Sequence, residues 1–154
     1  MELKSTLRVS NEADLPASVG FYKGQMAKAL AGSTKNPSER MDVRLVSFES
    51  GTYAKLHWHL LETLCYVISG RAVVADIEGK TYDVGPGSVV YAPPGIVGAH
   101  SWDIKEPLQL IAVRATVDTE TSIQFEVDLA TKRSSVPFDI LVNRQVTTFK
   151  KSLY

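Results

Sequence analysis

The chain has 154 residues, 17 basic and 17 acidic, and a formal net charge of zero at pH 7. This length suffices for one compact domain with its own core, and the balanced charge, with no basic run beyond Lys132-Arg133 and Lys150-Lys151, argues against a nucleic-acid partner. A single cysteine, Cys65, excludes an internal disulfide, no stretch approaches the length of a membrane span, and the opening MELKSTLRVSNEADLP lacks a signal-peptide core; the expected setting is a reducing cytoplasm, away from any membrane.

In chain order, residues 22–31, YKGQMAKALA, admit two readings. Met, Ala, Lys and Leu favour a short helix, while the alternation of Tyr22, Gly24 and Met26 suits an edge strand. Residues 32–40, GSTKNPSER, carry Gly, Ser, Asn and Pro and are expected to form a loop. From there the period is two: MDVRLVSF, TYAKLHWH, TLCYVISG, RAVVADI, KTYDV, SVVYAPP, LQLIAVRA and SIQFEVDL are short β-type runs. Turn signals at Gly51, Ser69-Gly70, Glu78-Gly79, Gly85-Pro86-Gly87 and Pro93-Pro94-Gly95 separate them. The expected fold is all-β, an antiparallel sandwich or barrel. After residue 130, TKRSSVP reads as a linker and FDILVNRQVTTF as a further apolar strand or a segment packing on the barrel or on a partner subunit. No second domain or repeat is visible, so one domain is expected over residues 1–154.

The chemistry gathers around histidine. On a strand, positions i and i+2 share a face, so His57 and His59 present two imidazoles on one side and Trp58 on the other. His100 is the third and last histidine of the chain. Neutral imidazole binds Zn, Fe, Ni, Cu and, less tightly, Mn; taken alone, a His-x-His pair is equally well read as two half-buried histidines bonded to backbone. No competing site appears. The glycine turns open no helix that would cradle phosphate, and no serine or cysteine sits in a nucleophile signature.

Gly51, five residues, His57-Trp58-His59, then a strand ending at Gly70 resembles the first motif of the cupin superfamily, and Gly87, five residues, Pro93-Pro94-Gly95 resembles the opening of the second. The resemblance covers residues 43–115. It implies a single-domain cupin β-barrel, a jelly-roll-like double-stranded β-helix holding one divalent metal ion (Fe, Zn, Ni or Mn), with terminal extensions packed on the barrel or on a partner subunit. It also implies a homodimer, which would cover the apolar edges at residues 20–30 and 136–149.

Two departures bear on the ligand set. The position of the family's glutamate falls on Thr63, with Glu62 one place early, and on a regular strand that slip turns Glu62 outward unless a bulge, or a turn ending one residue sooner, intervenes. The second-motif histidine position falls on Gly98, and His100 comes two residues later, on the same face of a regular strand but about 6–7 Å along it. The expected ligands are His57, His59 and His100, with Glu62 joining only through a bulge or an earlier end to the turn; His100 can equally line the pocket as a polar group.

Thr63, Cys65 and Trp102 are expected to line a substrate pocket, Cys65 as a buried thiol rather than a ligand and Trp102 equally as a core aromatic. Tyr53 and Lys55 share the histidines' parity but are equally well read as exposed at the strand mouth, and Tyr66, Tyr91 and Arg44 are within reach of a substrate in a barrel this size. No catalytic residue is assigned. The resemblance implies an enzyme acting on a small polar organic molecule, with dioxygenase-type chemistry ahead of lyase or isomerase chemistry. The alternative is a non-catalytic cupin that binds or senses a small molecule.

Overall fold

The computed structural model describes residues 3–115 and 124–135. A 3-10 turn at Glu12–Asp14 leads into ten strands: β1 (Ala17–Val19), β2 (Gln25–Ala31), β3 (Asp42–Phe48), β4 (Tyr53–His59), β5 (Thr63–Asp76), β6 (Thr81–Val84), β7 (Val89–Ala92), β8 (His100–Arg114), β9 (Gln124–Val127) and β10 (Ser134–Ser135). Residues 25–31 are therefore strand rather than helix. The tract from Val136 onward, including the expected apolar run FDILVNRQVTTF, lies outside the described residues.

All pairings among the described residues are antiparallel, and the sheet curls on itself into a jelly-roll barrel. Two long strands make the frame. Along one edge β8 pairs with β5 over nearly its whole length; along the other it pairs first with β4 and then with β3. The far edge of β5 takes β7 and then β6. Strands β1 and β2 extend the sheet beyond β3, and β9 and β10 extend it beyond β4.

The long pair bends midway, where the β5–β8 register shifts three times between Val67 and Ala72. Gly70 sits at this corner with φ +85°, and a Cβ there would stand 2.1 Å from the carbonyl oxygen of Pro107. Only glycine fits such a close crossing. Pro107, which donates no ladder hydrogen bond, occupies the matching bend of β8.

Alternation then sorts the two faces. Cys65, Val67, Ala72 and Val74 of β5, Val46 and Phe48 of β3, and Trp102, Ile104, Leu108, Leu110 and Ala112 of β8 point inward and form one core. Leu64, Tyr66 and Ile68 alternate outward and are exposed. No helix among the described residues is long and apolar enough to cross a membrane.

Candidate metal centre

Strand β4 does not keep one parity. Ala54 pairs with Trp102 and His57 with His100, so three residues of β4 span two of β8, and the extra residue is a β-bulge. Before it, Tyr53 and Lys55 face solvent; after it, His57 and His59 face inward and are buried. The parity that Tyr53 and Lys55 were expected to share with the histidines is broken by this bulge. It also turns the Lys55 carbonyl toward the His57 ring, whose Nδ1 lies 2.6 Å from it. Outside, Trp58 stacks on Phe125 at 4.3 Å and donates through Nε1 to Ser134 Oγ, fixing the opposite face of the strand.

His100 arrives by another device. Gly98 lies in a 3-10 turn, Ile96–Gly98, not on the strand, so period-two parity does not govern it. A Cβ at Gly98 would fall 1.9 Å from the Pro93 carbonyl oxygen, which closes that position to any side chain. The turn absorbs the two-residue displacement, and β8 opens with His100 directly opposite His57. Its Nδ1 lies 2.9 Å from the Gly98 carbonyl.

The three rings converge. His57 and His100 have centroids 4.6 Å apart, His57 and His59 5.0 Å, and His59 and His100 5.9 Å. One nitrogen from each ring lies within 4.8 Å of the others. A carbonyl oxygen only accepts, so the Nδ1 atoms of His57 and His100 carry the protons and their Nε2 lone pairs are left for a ligand. Hydrogen-bonding the far nitrogen to a carbonyl is how proteins orient metal-bound histidines. Burial, reinforced by the neighbouring His100, pulls His57 down to about 3, and burial likewise lowers His100. Neutral rings with oriented lone pairs are the state a divalent ion requires, so these residues fit a metal.

Glu62 stands apart from them. It precedes the first residue of β5, is exposed, and accepts a hydrogen bond of 2.8 Å from Tyr91. No bulge brings it inward. Thr63 takes the inward position instead, and the Nε of Arg114, its register partner on β8, donates to Thr63 Oγ1 at 3.0 Å. Arg114 Nη2 lies 3.4 Å from His59 Nε2.

The histidines open onto a cavity of about 120 Å³ whose wall includes Thr63, Cys65 and Trp102. Arg44 also reaches it, ion-paired with the buried Asp42, whereas Tyr66 and Tyr91 are exposed on the outside. Burial pushes the Cys65 thiol up to about 11, so it is neither a ready nucleophile nor a thiolate ligand. A second cavity, of about 490 Å³, shares only His100 with the first.

Three wall residues were not singled out from sequence. Arg114 was legible, because Leu108, Leu110 and Ala112 set an inward parity that Arg114 continues. Tyr22 was not: it sits in the turn between β1 and β2, which Gln25 pins by accepting from the backbone N–H groups of Phe21 and Tyr22. Tyr22 in turn accepts a 2.7 Å hydrogen bond from the third residue, the buried Gln124, and burial, aided by Glu126, raises its pKa.

Residues 44–114 match the model of the cupin domain family. An uncharacterised protein of Streptomyces coelicolor is 35% identical over 74 residues, 47% of this chain and 68% of that one. The polyketide cyclase RemF of Streptomyces resistomycificus superposes with a TM-score of 0.62 at 20% identity, over 71% of this chain and 80% of its own. A sugar phosphate isomerase of Silicibacter pomeroyi gives 0.62 at 18% identity, over 84% and 92%.

Proposed function

The chain belongs to the cupin superfamily, and from that premise we propose that it is a metal-dependent enzyme acting on a small polar organic molecule by lyase or isomerase chemistry. The observation that carries this reading is the trio of buried imidazoles, of which burial holds His57 and His100 toward the neutral form, with ligand atoms within 4.8 Å of one another. His57, His59 and His100 would hold one divalent ion, Fe, Zn, Ni or Mn, which supplies Lewis acidity toward a hydroxyl or carbonyl oxygen.

The chain's own groups perform the rest. Thr63, Cys65 and Trp102 contact the substrate, and the Trp102, Phe48 and Leu110 side chains give the cavity an apolar wall that limits water. Tyr22, kept protonated by burial, has an oxygen that accepts from Gln124, and its O–H would donate a hydrogen bond to a substrate oxygen. The Arg114 charge stabilises negative charge that develops on the substrate.

A hydrogen-bond donor and a fixed cation suit the oxyanions that develop in lyase and isomerase chemistry, and for this reason that chemistry is proposed ahead of the dioxygenase reading. The isomerase and cyclase among the structural neighbours are consistent with it, although a shared fold does not by itself choose a reaction. We also propose that two copies associate in the cytoplasm, which sedimentation of the purified protein tests.

Elemental analysis of purified protein is expected to find about one divalent ion per chain, lost in the His57→Ala/His59→Ala double variant. Loaded protein is then incubated with a panel of hydroxy and keto acids. Turnover without oxygen uptake supports the reading. Oxygen consumption coupled to turnover would restore the dioxygenase, and a folded protein that takes up no metal in supplemented medium would leave a non-catalytic binding cupin.

A further inference from the structure

We propose that Arg114, held by Thr63, forms a carboxylate-binding subsite beside the histidine cluster, so that the molecule this cavity accepts is a small carboxylic acid bound as its anion. The proposal deepens the functional reading above and rests on it for the neighbouring ion, but not for the anion site itself.

Position is the first support. Arg114 ends the inward row Leu108, Leu110, Ala112 and is the register partner of Thr63, the place where the cupin motif carries its acidic ligand. A neutral hydroxyl and a guanidinium thus stand where a carboxylate is expected.

Charge is the second support. The cavity wall contains Arg44 and Arg114 and no aspartate or glutamate. The nearby Asp42 spends its carboxylate on Arg44, and no carboxylate among the described residues forms an ion pair with Arg114. The one carboxylate whose charge reaches Arg114 is Asp42, its register neighbour on β3, and Asp42 is already ion-paired with Arg44, so two guanidinium groups face one carboxylate, and buried charge is costly unless paired. A ligand anion would supply the second negative charge.

Donor geometry selects its kind. Guanidinium carries five N–H groups. One serves Thr63 Oγ1 and one is directed at His59 Nε2, which leaves three for a ligand. A single planar fork in a cavity of about 120 Å³ matches the two coplanar oxygens of a small carboxylate. A dianionic phosphate would need a second free cation, and Arg44 is already engaged.

The His59 contact adds a linkage. Arg114 Nη2 lies 3.4 Å from this ring, so an anion on the guanidinium offsets the positive charge that opposes a cation held by the histidines. Carboxylate and metal should therefore each raise the other's affinity by the same factor.

The test uses L-lactate and its neutral isostere L-lactamide as probes, titrated calorimetrically into metal-free and zinc-loaded full-length protein, with inorganic phosphate as a third ligand. Lactate is expected to bind at least about tenfold tighter than lactamide, the scale of one charge-assisted contact. Arg114→Gln is expected to erase the difference and Arg114→Lys to keep part of it, with circular dichroism checking that both fold. Zinc affinity, measured by competition with a chelator, should rise when lactate is present.

Equal binding of lactate and lactamide, a preference for phosphate, or a lactate preference that survives in Arg114→Gln would each overturn the subsite. Because the metal-free titration is scored separately, loss of zinc binding with an intact lactate preference would remove the metal reading and leave the subsite standing.

Discussion

Replacing Gly98 with alanine isolates the device that delivers His100. The new methyl carbon would lie 1.9 Å from Pro93 O, 2.9 Å from Pro93 C and 3.0 Å from Pro93 N, all backbone atoms that no side-chain rotation can move aside. A carbon and a carbonyl oxygen come no closer than about 3.3 Å, so the turn must open by about 1.4 Å. Overpacking of this kind costs about 1–3 kcal/mol, and the rigid neighbour places Gly98→Ala near the top of that range. At about 3 °C per kcal/mol for a chain this long, the melting temperature should fall by about 9 °C. The same opening displaces the Gly98 carbonyl that orients His100 Nδ1, and loss of such an orienting partner lowers metal affinity by about 10–100-fold. Thermal denaturation followed by circular dichroism reads the first effect and a zinc competition titration the second. A melting shift under about 2 °C with undiminished zinc affinity would refute the claim that Pro93 closes this position.

Glu62→Gln should leave metal content unchanged and alter stability by less than about 0.5 kcal/mol, because this carboxylate lies outside and bonds only Tyr91; loss of metal in that variant would reinstate it as a ligand. Metal-stripped protein should lose stability as pH falls below about 6.5, since the unfolded state takes up protons there while His57 resists until about pH 3. Between pH 6.5 and 5 this one group should cost about 2 kcal/mol, with His100 acting in the same direction; urea melts that are flat across this window would contradict its burial in the neutral form. Cys65, with its pKa near 11, should react with a thiol reagent at pH 8 at least about a hundredfold more slowly than an ordinary cysteine until denaturant is added, and immediate labelling of the native protein would show the thiol to be open.

Much of the frame was readable because its causes are local. Alternation in TLCYVISG and LQLIAVRA set which residues face inward, and the same parity turned Glu62 out and Thr63 in. What escaped depends on contacts distant in sequence. The bulge between Ala54 and His57 exists only against β8, so counting back from the histidines could not choose between the inward and the exposed placement of Tyr53 and Lys55. Gly98 was read as a strand residue because nothing local marks a 3-10 turn there; its cause is the Pro93 carbonyl pressed against it. Tyr22 reaches the cavity only because Gln25 folds the turn that carries it. Arg114 lay in plain view at the end of an apolar row, where the inward parity set by Leu108, Leu110 and Ala112 continues to it.

Anomalous diffraction at the absorption edge of the bound element, from crystals grown in metal-replete medium, tests the centre most directly. The account predicts one ion per chain bound by a ring nitrogen from each of His57, His59 and His100, with Nε2 used by His57 and His100 and no ligation by Glu62. A cavity without an anomalous peak between the three rings, or a peak held by other groups while His100 points away, would contradict it.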